Sequence, residues 1–314
     1  MIRIIEDRDV QALIDRDDAL DVIERTYRAA ASGQAWVSQP AAMSLKGPAD
    51  AGSSFKIKGA LVEGLGVAGF RCIGDGRDAD GGSYVFLFEA GTAKPTALVA
   101  EGWLHRLRTA MTGLVTCRAL APSNPQRLVL IGTGRIAEEF VRIVDLAFPG
   151  LPIMLASRSS ERAAQTAERW QPLTRNPLSA AAKMSDALAD ADIVVTLSDA
   201  QERLFAATDL KSRSLLCAMG GRHEFESDVL EAASHLVVDE IDFVCTAGNG
   251  AHWIKSGQMT RQELEDSVDA TIGEVLIGKT AIAADGVVLA IIQGMAVCDI
   301  ALAQLAFDRM AKRD

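Results

Sequence analysis

The chain has 314 residues, 49% of them hydrophobic and 24% charged, so it is long enough for two domains with real cores. Its formal net charge of −10 argues against a nucleic-acid or anionic-membrane surface, though not against a local cationic pocket. Five scattered cysteines, none in a C-x-x-C pair, argue against a structural zinc or disulfide framework and point to small buried side chains in a reducing cytoplasm. No apolar run reaches the roughly 18 residues of a membrane span, and the first residues lack the layout of a signal peptide.

In chain order, residues 16–32 carry apolar side chains at helical spacing, with Asp15 or Asp17 as a cap and Gly33 as a stop. From 53 to 99 the texture changes to short strand-like runs at 55–58, 69–73, 84–88 and 96–99. They form a β-meander whose last two strands make a hairpin. Residues 103–120 read as a helix, and Pro122 and Pro125 break the chain after it.

The most informative stretch follows. An apolar run at 127–131 enters Gly132-Thr133-Gly134-Arg135-Ile136-Ala137, and 138–147 reads as a helix. This is the pattern of a dinucleotide-binding turn. Gly132 makes the tight bend, Gly134 lets the backbone approach a pyrophosphate at a helix N-terminus, and the small Ala137 lets helix and strand pack closely. Further apolar runs at 152–156, 192–196, 214–217 and 235–239 alternate with helical stretches. They predict a doubly wound parallel sheet, so the fold class is α/β. Residues 286–310 read as one long apolar helix that packs on the first domain or on another subunit. The expected division is a substrate-binding and dimerisation domain of α+β type, 1–122 with 286–314, and an NAD(P)-binding Rossmann domain, 123–285.

These pieces, in this order, resemble the ornithine cyclodeaminase/μ-crystallin family. The resemblance rests on Leu107-Arg108-Thr109-Ala110, Leu87-Phe88-Glu89 with Gly91-Thr92, the Gly132 turn, Ser157-Arg158-Ser159, the run from Ile272 through Gly278-Lys279, and Gly294-Met295-Ala296 with Asp299. It implies a homodimer built through the N-terminal β-domain and an active site in the cleft between the domains. The implied chemistry moves hydride between NAD(P) and an α-amino or α-imino carboxylate. Members include cyclodeaminases, alanine dehydrogenases and ketimine reductases of amino-acid metabolism.

The second strand ends in Ser157-Arg158-Ser159 with no acid at its tip, where an acid would bind the ribose of NAD. These residues suit a 2′-phosphate, so NADP(H) is favoured and NAD(H) remains possible. Thr196 is expected near the cofactor's ribose, and the resemblance places Gly294 near the nicotinamide. Arg108 matches the family arginine that grips the substrate carboxylate. A second family arginine is replaced by Ala42. The family lysine matches Arg71, with Lys58 or Lys56 as alternatives for its role. The family aspartate falls at Arg222.

Reversing charge at that last position removes an acid/base group and an ammonium partner, which weakens a cyclodeaminase reading. An imino-acid reductase needs carboxylate anchorage, hydride delivery and one proton donor, for which His105, His223 and Lys58 are candidates. Asp299 is expected to cap or brace. Arg108, Arg71, Lys58, His105 and Arg222 are thus the candidate catalytic residues, with no metal. The expected function is an NAD(P)H-dependent reductase of α-imino acids, ketimine or dicarboxylic. Its rivals are a cyclodeaminase with catalytic NAD and a non-catalytic NADPH-binding protein.

Overall fold

A computed structural model describes residues 2–46, 54–75 and 82–313. Ser53, the expected start of the β-rich run, lies outside them. The chain forms two compact units, Met1–Thr109 with Gly294–Asp314, and Ala110–Gln293. One division falls inside a helix, and the other falls two residues beyond the end of a strand.

The first unit contains β1 (Arg3–Ile5), α1 (Asp7–Leu13), α2 (Arg16–Ala31), β2 (Ala35–Val37), β3 (Met43–Lys46), β4 (Ser54–Val62), β5 (Val67–Asp75), β6 (Ser83–Glu89) and β7 (Pro95–Ala100). α3 (Gly102–Leu120) then starts in this unit and continues into the second. α2 begins where Asp15 accepts a hydrogen bond from the Asp17 amide and ends before Gly33, whose φ is +70°. The sheet order is β1-β7-β6-β5-β4-β2, with β3 also on β4. Pairing is antiparallel except for β1 with β7.

Period-two alternation gives this sheet two different faces. Its inner face carries Lys58, Ala60 and Val62, then Val67 and Arg71, then Val85 and Leu87, all buried. A further helix of this unit, residues 296–311, lies on that face. At Gly69 an added Cβ would stand 2.4 Å from the Phe86 carbonyl and 2.8 Å from Ile300 Cδ1, so the glycine permits the close approach.

The second unit holds an eight-stranded, all-parallel sheet. Its elements are β8 (Leu128–Ile131), α4 (Arg135–Ile143), β9 (Ile153–Ala156), α5 (Ser160–Trp170), β10 (Leu178–Ala180), α6 (Met184–Ala189), β11 (Ile193–Thr196), β12 (Ser214–Ala218), α7 (Asp228–Ala232), β13 (Ala233–Val238), α8 (Ile241–Val244), α9 (Gly248–Ser256), α10 (Arg261–Asp266), β14 (Ala270–Thr271), α11 (Ile272–Leu276) and β15 (Val287–Ile291). The order is β10-β9-β8-β11-β12-β15-β13-β14. The chain leaves β8 toward β9 and later crosses to β11 on its other side. That reversal is the switch point where doubly wound sheets bind ligands, beyond the strands' carboxyl ends.

One expectation is corrected. Residues 286–310 are not a single helix: Val287–Ile291 is β15, and only Ala296–Ala311, which we label α12, is helical. Val287, Val288 and Ile291 are β-branched, and all five residues of the strand are buried between β12 and β13. An uninterrupted apolar run carries no period, so it reads equally as buried strand or helix. The helix after Gly134 also starts earlier than expected, at Arg135, with Gly134 as its N-cap.

Candidate functional site

Each unit carries a candidate site. In the first, the β register sets the geometry. Lys58 on β4 and Arg71 on β5 are direct cross-strand partners. Both face inward, with exposures of 4% and 1%. Like charges directly opposite repel, and buried charges need partners. The partners come from two helices. Glu101 immediately precedes α3 and lies 2.6 Å from Arg71 Nη2. Asp299, in the first turn of α12, accepts from Arg71 Nη1 at 3.2 Å and from Arg108 Nε at 2.6 Å.

Arg108 is the residue expected to grip a substrate carboxylate. Its Nε is committed to Asp299 and the side chain is only 2% exposed, because a buried guanidinium without an acid is too costly. Gly294 joins this cluster. With φ at +86° it turns its carbonyl to Lys58 Nζ, 2.8 Å away, and an added Cβ would meet Arg108 Nη1 at 2.0 Å. The alternatives Lys58 and Arg71 are therefore neighbours in one cluster. Ala42 immediately precedes β3, whose paired residues begin at Met43 opposite Ile57.

His105 sits one helical turn before Arg108. Its Nδ1 lies 3.2 Å from Arg108 Nη2 and 3.3 Å from Arg71 Nη2. Guanidinium groups only donate, so Nδ1 accepts and the ring proton resides on Nε2. Burial, then Arg71 and Arg108, push His105 well below the usual imidazole range, so it stays neutral. Burial also raises the Glu101 carboxyl to about 7, against the pull of Arg71. Asp299 is held below its ordinary value, because attraction from Arg108, Arg71 and Lys58 outweighs the opposing effect of burial. Among the described residues, three cations thus face two carboxylates in this cluster, and the pKa of Glu101 lies near neutrality. Glu101 was missed in the sequence, where an acid before a helix reads as an ordinary cap.

In the second unit, Gly132 ends β8 with φ at +127°. An added Cβ there would stand 2.4 Å from the Leu197 carbonyl, on the chain leaving β11, so this turn lies at the switch point. Thr133 and Ile136 are half-buried, Gly134 and Arg135 exposed. Nothing lies within 4 Å of a Cβ built on Gly134. The first-turn amides of α4 point out of its N-terminus there. This cradle fits a pyrophosphate. Beside the end of β9 is a cavity of about 390 Å³ lined by Ser157, Arg158, Ser160, Lys183, Glu202 and Arg203, among others. It brings three cations against one acid, and Lys183 and Arg203 come from loops that the sequence motif does not contain. Ser157 Oγ donates to the Ser159 carbonyl at 2.6 Å, and Ser159 caps α5 through the Arg162 amide.

Two expected residues have hydrogen-bond partners of their own. Thr196 is fully buried, and its hydroxyl donates to Glu224 at 2.5 Å. Arg222 is exposed and its Nε donates to Asp199 at 2.5 Å. Glu224, two residues on, is a buried carboxyl that also accepts from Ser198 Oγ at 2.5 Å, and burial raises its pKa. Gly220 leaves it room, since a Cβ there would stand 2.2 Å from Glu224 Oε2.

The glycine turn at the switch point of a parallel sheet, with a cation-lined cavity beyond the second strand, defines a Rossmann-type α/β protein. The model of the ornithine cyclodeaminase/mu-crystallin family matches residues 2–314, and the chain belongs to that family. An uncharacterized cyclodeaminase of Sinorhizobium fredii is 25% identical over 326 residues, covering 99% of this chain and 97% of that protein. A Delta(1)-pyrroline-2-carboxylate reductase of Bacillus cereus is 26% identical over 236 residues, covering 73% and 71%. The iminosuccinate reductase of Paracoccus denitrificans is 25% identical over 291 residues, covering 88% and 86%. A crystal structure of that reductase in complex with NAD+ has a TM-score of 0.87 at 21% identity, covering 99% and 97%. No helix among the described residues is long and apolar enough to cross a membrane.

Proposed function

We propose that this protein is an NAD(P)H-dependent reductase of α-imino acids. The observation that carries the reading is the buried juxtaposition of the two guanidiniums of Arg71 and Arg108 with Lys58 around Asp299 and Glu101, among the described residues. A surplus of buried positive charge receives an anion, and a fork of two guanidiniums suits a carboxylate. The similarity to pyrroline-2-carboxylate and iminosuccinate reductases supports the same chemistry. When bound, the reduced nicotinamide supplies the hydride that converts an imine carbon to an amine carbon. Arg71 and Arg108 anchor the substrate's acid group and orient the carbon beside it. Lys58 is the proton donor to the imine nitrogen: arginines do not release protons near neutrality, and His105 is held neutral.

The Gly132 turn, with Thr133, Gly134, Arg135 and Ile136, holds the pyrophosphate. Arg158, Lys183 and Arg203 favour NADP(H) through its 2′-phosphate. The outer face of the first unit's sheet leaves Trp36, Met43, Leu45 and Phe55 between 45% and 49% exposed. Phe70 and Phe86 stack on the same face. Such a surface supports a homodimer.

The test follows NADPH and NADH oxidation with cyclic imines, with pyruvate or glyoxylate plus amines, and with oxaloacetate plus ammonia. Stoichiometric loss of reduced cofactor with one imino-acid class supports the reading. Ammonia release from ornithine without net cofactor change would establish the lyase instead, and tight cofactor binding without turnover the non-catalytic protein.

A further inference from the structure

A second group of side chains lies in the second unit, apart from the cofactor cradle. His223 and Glu226 sit on the loop after β12, and His252 sits on α9. One ligand atom from each lies within 4.8 Å of the others. His223 Nε2 is 3.1 Å from Glu226 Oε1, and His252 Nε2 is 4.0 Å from Glu226 Oε2. The two imidazoles stack, with centroids 3.6 Å apart and planes 10° from parallel.

The scaffold beneath them is tightly tied. Asn249, fully buried on α9, accepts from the Glu224 amide at 2.8 Å and the Phe225 amide at 3.3 Å. Trp253 Nε1 donates to the Phe225 carbonyl at 3.2 Å. Gln258, just beyond α9, accepts from the Ser227 amide at 3.1 Å and donates to Glu226 Oε2 at 2.7 Å. Loop and helix are thus joined on both sides of the three side chains, and one carboxylate oxygen is already oriented by an outer hydrogen bond.

We propose that His223, Glu226 and His252 bind a divalent transition-metal ion of the zinc class. Two imidazoles and one carboxylate form a nitrogen–oxygen donor set such ions favour, and they leave a fourth position for water. Bonds of about 2.0–2.1 Å in a tetrahedron place ligand atoms about 3.3 Å apart. The His223–Glu226 spacing already meets this. Ligation requires the His252 ring to turn out of the stack so that both in-plane lone pairs meet at the ion, and its side chain, 36% exposed, has room to do so and to close the remaining gap. The ion would clamp the loop that carries Arg222 and Glu224 to α9. The site stands independently of the hydride chemistry proposed above.

The full-length chain, stripped with a chelator, is titrated with Zn2+ and then with Co2+. One equivalent of zinc binds per chain, and the cobalt form shows d–d bands without thiolate charge transfer, which separates this site from the cysteines. His252→Ala and Glu226→Gln each weaken zinc binding about 100-fold or more and leave the circular dichroism unchanged. In the unmutated chain, zinc shifts the ring-proton NMR signals of two of the four histidines. No stoichiometric zinc, a thiolate band, unaltered affinity in both variants, or unmoved histidine signals would show an inert stacked pair and overturn the assignment.

Discussion

Replacing Asp299 with asparagine tests the buried cluster most directly. The carboxylate is 1% exposed and serves two guanidiniums, Arg108 at 2.6 Å and Arg71 at 3.2 Å. Asparagine keeps the volume and removes the charge. Arg71 retains Glu101, whereas Asp299 is the carboxylate that Arg108 Nε donates to. Removing one partner of a buried pair costs about 3–5 kcal/mol. The loss is slightly offset, because Asp299 also raises the Glu101 pKa and its removal lets Glu101 ionise more readily. A net loss of about 3 kcal/mol is a large share of a typical stability of roughly 5–15 kcal/mol. Arg108→Met should cost less, since Asp299 then keeps both of its contacts with Arg71 Nη1. Urea unfolding followed by circular dichroism measures both variants against the parent. If Asp299→Asn stayed within about 1 kcal/mol of the parent, or Arg108→Met cost more, the paired-charge account would be refuted.

Gly294→Ala places a methyl against Arg108 Nη1 at a positive φ. It should cost about 1–3 kcal/mol in stability and about 100-fold in kcat/KM through a displaced arginine; wild-type turnover would refute the close approach. Glu101→Gln should alter the pH profile of folding. Because the folded-state pKa is raised from 4.5 to about 7, the parent's contribution from this group is complete below about pH 4.5 and is lost as pH rises through 7. That loss is about 3 kcal/mol, and a glutamine variant with an unchanged slope between pH 5 and 8 would contradict it. Arg158→Ala should raise KM for NADPH by about 10- to 100-fold, as loss of a charge-assisted contact implies. The value for NADH should hardly move; equal changes for the two cofactors would rule out a 2′-phosphate contact.

Much of the fold is legible because period and punctuation agree. Asp15 and Gly33 bound α2 as their chemistry requires, and the Gly132 turn stands where a parallel strand meets a helix. β15 escaped because an apolar strand buried on both faces carries no alternation. β10 and β14, three and two residues long, are too short to show a pattern. In the cluster, the residue types were visible but their pairing was not. Arg71 and Asp299 meet across 228 positions of chain, a contact made by folding rather than by local spacing. Thr196 illustrates the converse. It occupies the end of the strand as expected, but its hydroxyl is committed to Glu224, a bond no local motif announces.

The Glu101 carboxyl gives the Lys58–Arg71–Arg108 nest an adjustable ballast. Each proton it takes up widens the electropositive excess by one elementary unit, without moving any backbone atom. Under the proposed reading, in which the nest holds a substrate's acid group, mild acidity would tighten the grip on a doubly charged guest more than on a singly charged one.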